Sequence, residues 1–81
     1  MSDFDHRVGV SEANLVTRNL RLSNVNDDNR EALMEEIDRL FGIDEAVFNT
    51  EEKSIYLAYD ALNLNLDGIE DVIRKHGANI H

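Results

Sequence analysis

Two periods of hydrophobicity alternate along this chain, and the switches between them mark its elements. From Leu15 to Leu22, Val16, Leu20 and Leu22 share one parity while Thr17, Asn19, Arg21 and Ser23 take the other, as in a strand with one buried face. Arg18 interrupts the apolar side, and its aliphatic stem lets the guanidinium reach solvent from there. The period then lengthens. Leu33, Ile37, Leu40 and Phe41 form a helical stripe that Met34 widens. Asp28 followed by Glu31 fits a capping residue with its reciprocal acid, Asp27 adds favourable charge, and Gly42 supplies a left-handed exit. These signals predict a helix over about Asn29 to Phe41, roughly 20 Å long. Its opposite face carries Glu35, Glu36, Asp38 and Arg39, with Glu35 and Arg39 at a favourable four-residue spacing.

Ala46, Val47 and Phe48 then suggest a second strand, and Asn49 to Lys53 a turn. Ile55, Leu57 and Tyr59 alternate with Tyr56 and Ala58 in a third strand from Ser54 to Tyr59, which makes a hairpin with the second. Asp60 to Asn65 is a connection in which Leu62 and Leu64 are expected to plug the space beneath the next helix. In that helix Asp67 and Glu70 repeat the cap-and-acid signature. Leu66, Ile69, Val72 and Ile73 supply its apolar side, and Glu70–Arg74 and Asp71–Lys75 are paired four apart. After Gly77, the residues Ala78 to His81 suffice to begin a last strand.

The resulting order is strand, helix, strand, strand, helix, short strand. Two helices can cover one face of a four-stranded antiparallel sheet in this order, an α+β, ferredoxin-like βαββαβ sandwich. The expected domain is 15–81. Residues 1–14 have no sustained period and read as a flexible or loosely docked tail, with Phe4, Val8 and Val10 able to lie against the domain or extend a strand. The other face of the sheet has no helix to cover it. Depending on register, it should display members of the set Tyr56, Ala58, Phe48, Ala46 and Thr17.

Composition narrows the chemistry. The 81 residues leave room for one modest core, and the net charge of −9 repels nucleic-acid phosphate and acidic membranes while favouring basic partners or cations. The chain has no cysteine, so disulfides, thiolate ligands and a cysteine nucleophile are excluded. The N-terminal stretch lacks the basic and apolar regions of a signal peptide, and no apolar run approaches the roughly 20 residues of a membrane helix. A cytoplasmic location is the expectation.

Recognised catalytic signatures are absent. There is no phosphate-binding glycine loop, HExxH, nucleophile elbow or calcium loop. His76 and His81 have no evident third ligand for zinc, and His76 is favourable at a helix end for electrostatic reasons. Asp27 and Asp28 could help to hold a hard cation, but a helix N-terminus favours anions, and capping explains the acids better. An RNA-recognition surface needs exposed aromatics on both central strands with basic surroundings, and here only Tyr56 stands out.

The series Leu33, Ile37, Leu40, Gly42, Ile43, the Val47 to Tyr59 hairpin, and Ile69, Val72, Ile73, Gly77 together resemble the heavy-metal-associated domain of small copper chaperones and metal-pumping ATPases. The resemblance spans Leu15 to Ile80. That family carries a methionine and two cysteines, two residues apart, in the loop before the first helix. Counting back from Gly42, the cysteine positions fall on Asn26 and Asn29 and the methionine position near Asn24. The resemblance thus implies the fold while the residues oppose the family's usual activity, because Cu(I) selects thiolate and thioether over amide oxygen. The chain reads as a divergent member without the metal-binding cysteines, and its residues alone assign it no biological role. The leading reading is a non-catalytic acidic domain acting by protein–protein interaction, with Asn26, Asp27, Asp28, Asn29 and Tyr56 as the candidate surface. A protein partner or a weak homodimer through the open sheet face is expected, with no nucleic acid, membrane or cofactor, and Cu(I) disfavoured. The alternatives are a weak, non-thiolate metal site at Asp27 and Asp28, and a small-ligand regulatory module with a pocket between the sheet and the Asp60–Leu66 connection.

Overall fold

A computed structural model describes residues 10–81. A 3₁₀ turn, Glu12–Asn14, leads into β1 (Leu15–Ser23), followed by α1 (Asp27–Asp38), β2 (Ile43–Asn49), β3 (Ser54–Asp60), α2 (Leu66–Lys75) and β4 (Asn79–Ile80). The sheet order is β2-β3-β1-β4, and every pairing is antiparallel. The α+β, ferredoxin-like sandwich is therefore the observed architecture. Of the N-terminal expectations, those on residues 1–9, including Phe4 and Val8, lie outside the described residues.

Register follows from which parity is apolar. Val16 pairs with Tyr59, Leu20 with Ile55, and Phe48 with Ile55, so these residues share the helix-covered face. There Leu33 and Ile37 of α1 and Ile69 and Ile73 of α2 meet Leu22, Ile43, Ile55, Leu57 and Tyr59 in one core. Asn19, Tyr56 and Val47 align across the other face, joined by Thr17 and Ala58. Ala46 and Phe48, two of the residues expected on the open face depending on register, pack against the core instead. Arg18 lies exposed on the core-facing parity, its guanidinium donating to the Thr17 carbonyl at 2.8 Å.

The helix boundaries correct the sequence reading. α1 starts at Asp27 and is capped by Asn26, not Asp28; α2 starts at Leu66 and is capped by Asn65, not Asp67. Asparagine accepts helix N–H groups as well as aspartate does. In both cases the capping residue has extended backbone, which places its side chain over the first turn. α1 also stops at Asp38, before the expected Phe41, which turns out to solvent at 58% exposure. Gly42 has φ +97°, and a Cβ there would meet the Leu64 Cβ at 2.9 Å, so both conformation and space require glycine. Leu64 is half-buried, but Leu62 is 78% exposed and plugs nothing.

Candidate functional site

The junction of β1 and α1 is held by three asparagines, Asn24 and Asn26 in the loop and Asn29 in the first turn of α1. Asn24 adopts the left-handed region at φ +62°, which asparagine tolerates better than most side chains. Its side-chain amide crosses to the far end of α2 and donates to the Gly77 carbonyl at 2.7 Å. Asn26 and Asn29 bond to each other reciprocally. The Asn29 N–H donates to Asn26 Oδ1 at 2.9 Å, and the Asn26 N–H donates to Asn29 Oδ1 at 2.7 Å. This is the geometry of a capping box, with asparagine in the place usually held by Glu or Gln at its third helical residue. The remaining Asn29 amide group donates to the Asn24 carbonyl at 2.9 Å and the His76 carbonyl at 3.3 Å.

Thus the two positions to which the resemblance assigns cysteines point at one another and at backbone. The amide oxygen of each is committed to the helix end, and neither residue offers a soft donor. These residues do not fit a Cu(I) cargo. Asp27 and Asp28, the hard-cation alternative, are exposed in the first turn, and Asp27 lies 3.4 Å from the Arg30 guanidinium. Among the described residues no group of three or more His, Asp or Glu side chains gathers as a metal would require.

Beside this loop, α1 and α2 are joined through Glu36. Lys75 Nζ lies 3.0 Å from Glu36 Oε2, and His76 Nε2 lies 2.8 Å from Glu36 Oε1, with His76 donating when that nitrogen carries its proton. The His76 bond, then the Lys75 ammonium, hold the Glu36 carboxyl below its usual range against an opposing push from burial. Glu36 is therefore not part of a purely solvated helix face, and Lys75 turns to it across the helix pair. Arg74 takes two acids of its own helix, at 3.6 Å from Glu70 and 3.7 Å from Asp71.

A second polar hub stands at the other end of β1. Asp60 is 0% exposed, and its carboxylate accepts the Ser11 N–H at 2.8 Å and the Leu62 N–H at 2.9 Å. Burial alone would raise its pKa. The N–H groups of Leu62 and Ser11, the Asn14 side chain and the Asn63 N–H outweigh that and leave it below the usual carboxylate range. The Ala61 N–H also donates to the Asn14 carbonyl at 3.0 Å, so residues 11–14 are docked. Sequence reasoning places Asp60 only at the start of a connection and misses this hub. An aspartate directly after an alternating strand, where an Asx turn is common, is the local signal that could have found it.

Tyr56, the remaining candidate, is 37% exposed on the open face between Asn19 and Val47. It lies across the sheet from the helices and is not brought together with the Asn26–Asn29 cluster. An open cavity stands on the helix-covered side of the sheet. It lies between α1 and β2, has a volume of about 520 Å³, and is floored by Met34, Ala46 and Phe48.

No protein-family model matches the chain, and neither does any curated protein sequence. Solved structures do. A CsoZ metallochaperone superposes with a TM-score of 0.75 at 19% identity, covering 83% of this chain and 97% of that one. A CopZ metallochaperone gives 0.74 at 16% identity, over 82% and 100% of the two chains. The solution structure of a ZiaAN sub mutant gives 0.70 at 18% identity, over 82% and 94%. At this identity the likeness is one of fold. No helix among the described residues is long and apolar enough to cross a membrane.

Proposed function

We propose that this chain is a non-catalytic acidic interaction module: a metallochaperone-like scaffold, diverged from the heavy-metal-associated domains, whose metal loop has become a hydrogen-bonded lock. The observation that carries the reading is the reciprocal bonding of Asn26 and Asn29, with Asn24 and Asn29 tied to Gly77 and His76. A metal loop must release its donors to a cargo and take them back. This loop instead satisfies backbone groups at one helix start and one helix end, where unsatisfied donors and acceptors are costly. Function then falls to the surface, where the charge of −9 selects basic partners.

Titrating the native chain with Cu(I), Zn(II) and Ca(II), followed by backbone amide shifts, tests this reading. It predicts no localised perturbation of Asn24 to Arg30 at millimolar ion. A saturable shift confined to that loop would overturn it and restore the metal alternative at Asp27 and Asp28. No observation of the structure favours that alternative: both acids are exposed on the helix's first turn, and Asp27 is paired with the Arg30 guanidinium at 3.4 Å.

A further inference from the structure

β2 lies at the edge of the sheet, and among the described residues it pairs with no strand but β3. Edge strands are commonly guarded by lysine, proline, extreme shortness or a bulge. β2 has neither lysine nor proline. Its irregularity lies at its start, between Ile43 and Glu45, leaving Ala46 to Asn49 regular. Alternate N–H and C=O groups of that regular stretch face outward, away from β3.

Above this edge runs α1, and the cavity between them is floored by half-buried Met34, Ala46 and Phe48. The helix side of the cavity is acidic, carrying Glu31, Glu35 and Asp38 at successive turns. Arg30 closes one end, its guanidinium 6.0 Å from the centre of the Phe48 ring.

The two lattices match in step. Residues four apart on a helix are separated by about 6 Å along its axis. Alternate residues of an extended strand are separated by roughly 6.6 Å. We infer that the α1–β2 groove takes an extended basic segment of a partner protein as an added strand on β2, with lysine or arginine at every second position. In that pose the basic stems lie on Met34, Ala46 and Phe48 and the cationic heads reach Glu31 and Glu35. The intervening side chains point to the open sheet face. This inference rests on the interaction reading above and names the class of partner it needs.

The test uses the whole chain and two synthetic peptides of equal composition, one alternating lysine with threonine and one with the lysines in a block. The alternating peptide is expected to bind roughly tenfold tighter, since it alone matches both carboxylates from a single strand. Its amide shifts should map to Ala46–Asn49 and to α1 from Glu31 to Asp38. Methylating alternate backbone nitrogens of that peptide should abolish binding in one of the two phases, the one whose N–H groups face β2. Glu31→Gln combined with Glu35→Gln, both exposed positions, should erase the preference between the peptides; the second change removes only the exposed Arg39 pair at 3.8 Å, so the amide spectrum of the fold is expected to persist.

Equal affinity for both peptides, with shifts scattered over the acidic surface, would overturn the groove. Shifts confined to the open face around Tyr56 would also overturn it while leaving the interaction reading intact. A loop-specific metal response in the preceding titration would instead remove that reading, whatever the peptides do.

Discussion

The two ends of β1 solve the same problem with different chemistry. At its N-terminal end a fully buried carboxylate, Asp60, gathers N–H groups from Ser11 and Leu62. At its C-terminal end three mostly exposed, neutral asparagines, Asn24, Asn26 and Asn29, gather N–H groups and carbonyls from the helix start and from residues 76–77. The buried hub retains its charge because enough donors converge on it to offset the cost of leaving water. The exposed hub carries no charge to titrate, and its bonds compete with solvent. One end is therefore sensitive to acid and to truncation. The other should be robust to pH and modest in energy. In the exposed hub the amide oxygens of Asn26 and Asn29 are both engaged by backbone N–H groups.

The largest expected effect is at the buried end. Asp60→Ala strips the acceptor from at least two backbone donors. It should lower the melting temperature further than any substitution in the asparagine loop, with loss of exchange protection at the Ser11 and Leu62 amides. Its pH dependence has a definite sign. Because the folded pKa of Asp60 is depressed, its stabilising contribution is fully present above the ordinary aspartate value of the unfolded chain and is lost as pH falls through the folded value. Melts of the native chain should therefore fall in acid, and those of Asp60→Ala should fall less steeply over the same window.

Next in size is Asn29→Ala, which removes one acceptor and the amide donors that tie the loop to Asn24 and His76. A loss of about 1–2 kcal/mol is expected by denaturant unfolding. Asn26→Ala should cost about 1 kcal/mol, the ordinary worth of an N-cap. If Asn26 proved the more costly, the lock would be a cap alone and the link to α2 incidental.

Glu36→Gln should have the smallest effect of the set. Glu36 is held below its usual range, so its contribution is present above the ordinary glutamate value of the unfolded chain and lost as pH falls through the folded one. The variant should melt slightly lower than the native chain at neutral pH and low salt, with the gap shrinking as salt screens the Lys75 pair. A gap that persists in high salt would assign Glu36 a packing role instead.

What is legible in the sequence divides along the same line. Alternation in Ile55, Leu57 and Tyr59, and the helical stripe of Leu33 and Ile37, specify which face of β3 and α1 is buried, but the short apolar run Ala46–Phe48 leaves the register of β2 open, and only its pairing with β3 turns Ala46 and Phe48 to the core. The caps escape a local rule that ranks Asp28 with Glu31 ahead of Asn26 with Asn29, although both pairs share the spacing; backbone conformation decides between them. Phe41 fits the helical stripe but lies beyond the helix end, where the period no longer sets its direction. The reach of Asn24 to Gly77, of Ser11 to Asp60 and of Glu36 to His76 joins residues far apart in sequence, and no periodicity encodes such contacts. The acidic step of Glu31 and Glu35 is legible as a surface, but its meaning as one wall of a groove needs the edge position of β2.

The most direct measurement is hydrogen exchange at the loop in the native chain at neutral pH, reading the backbone N–H groups of Asn26 and Asn29 with the side-chain amides of Asn24 and Asn29. A locked loop predicts protection at all four, and predicts that Asn29→Ala removes it at Asn26. Free exchange at the Asn24 and Asn29 side chains, with the helix otherwise intact, would show an open loop and contradict the lock.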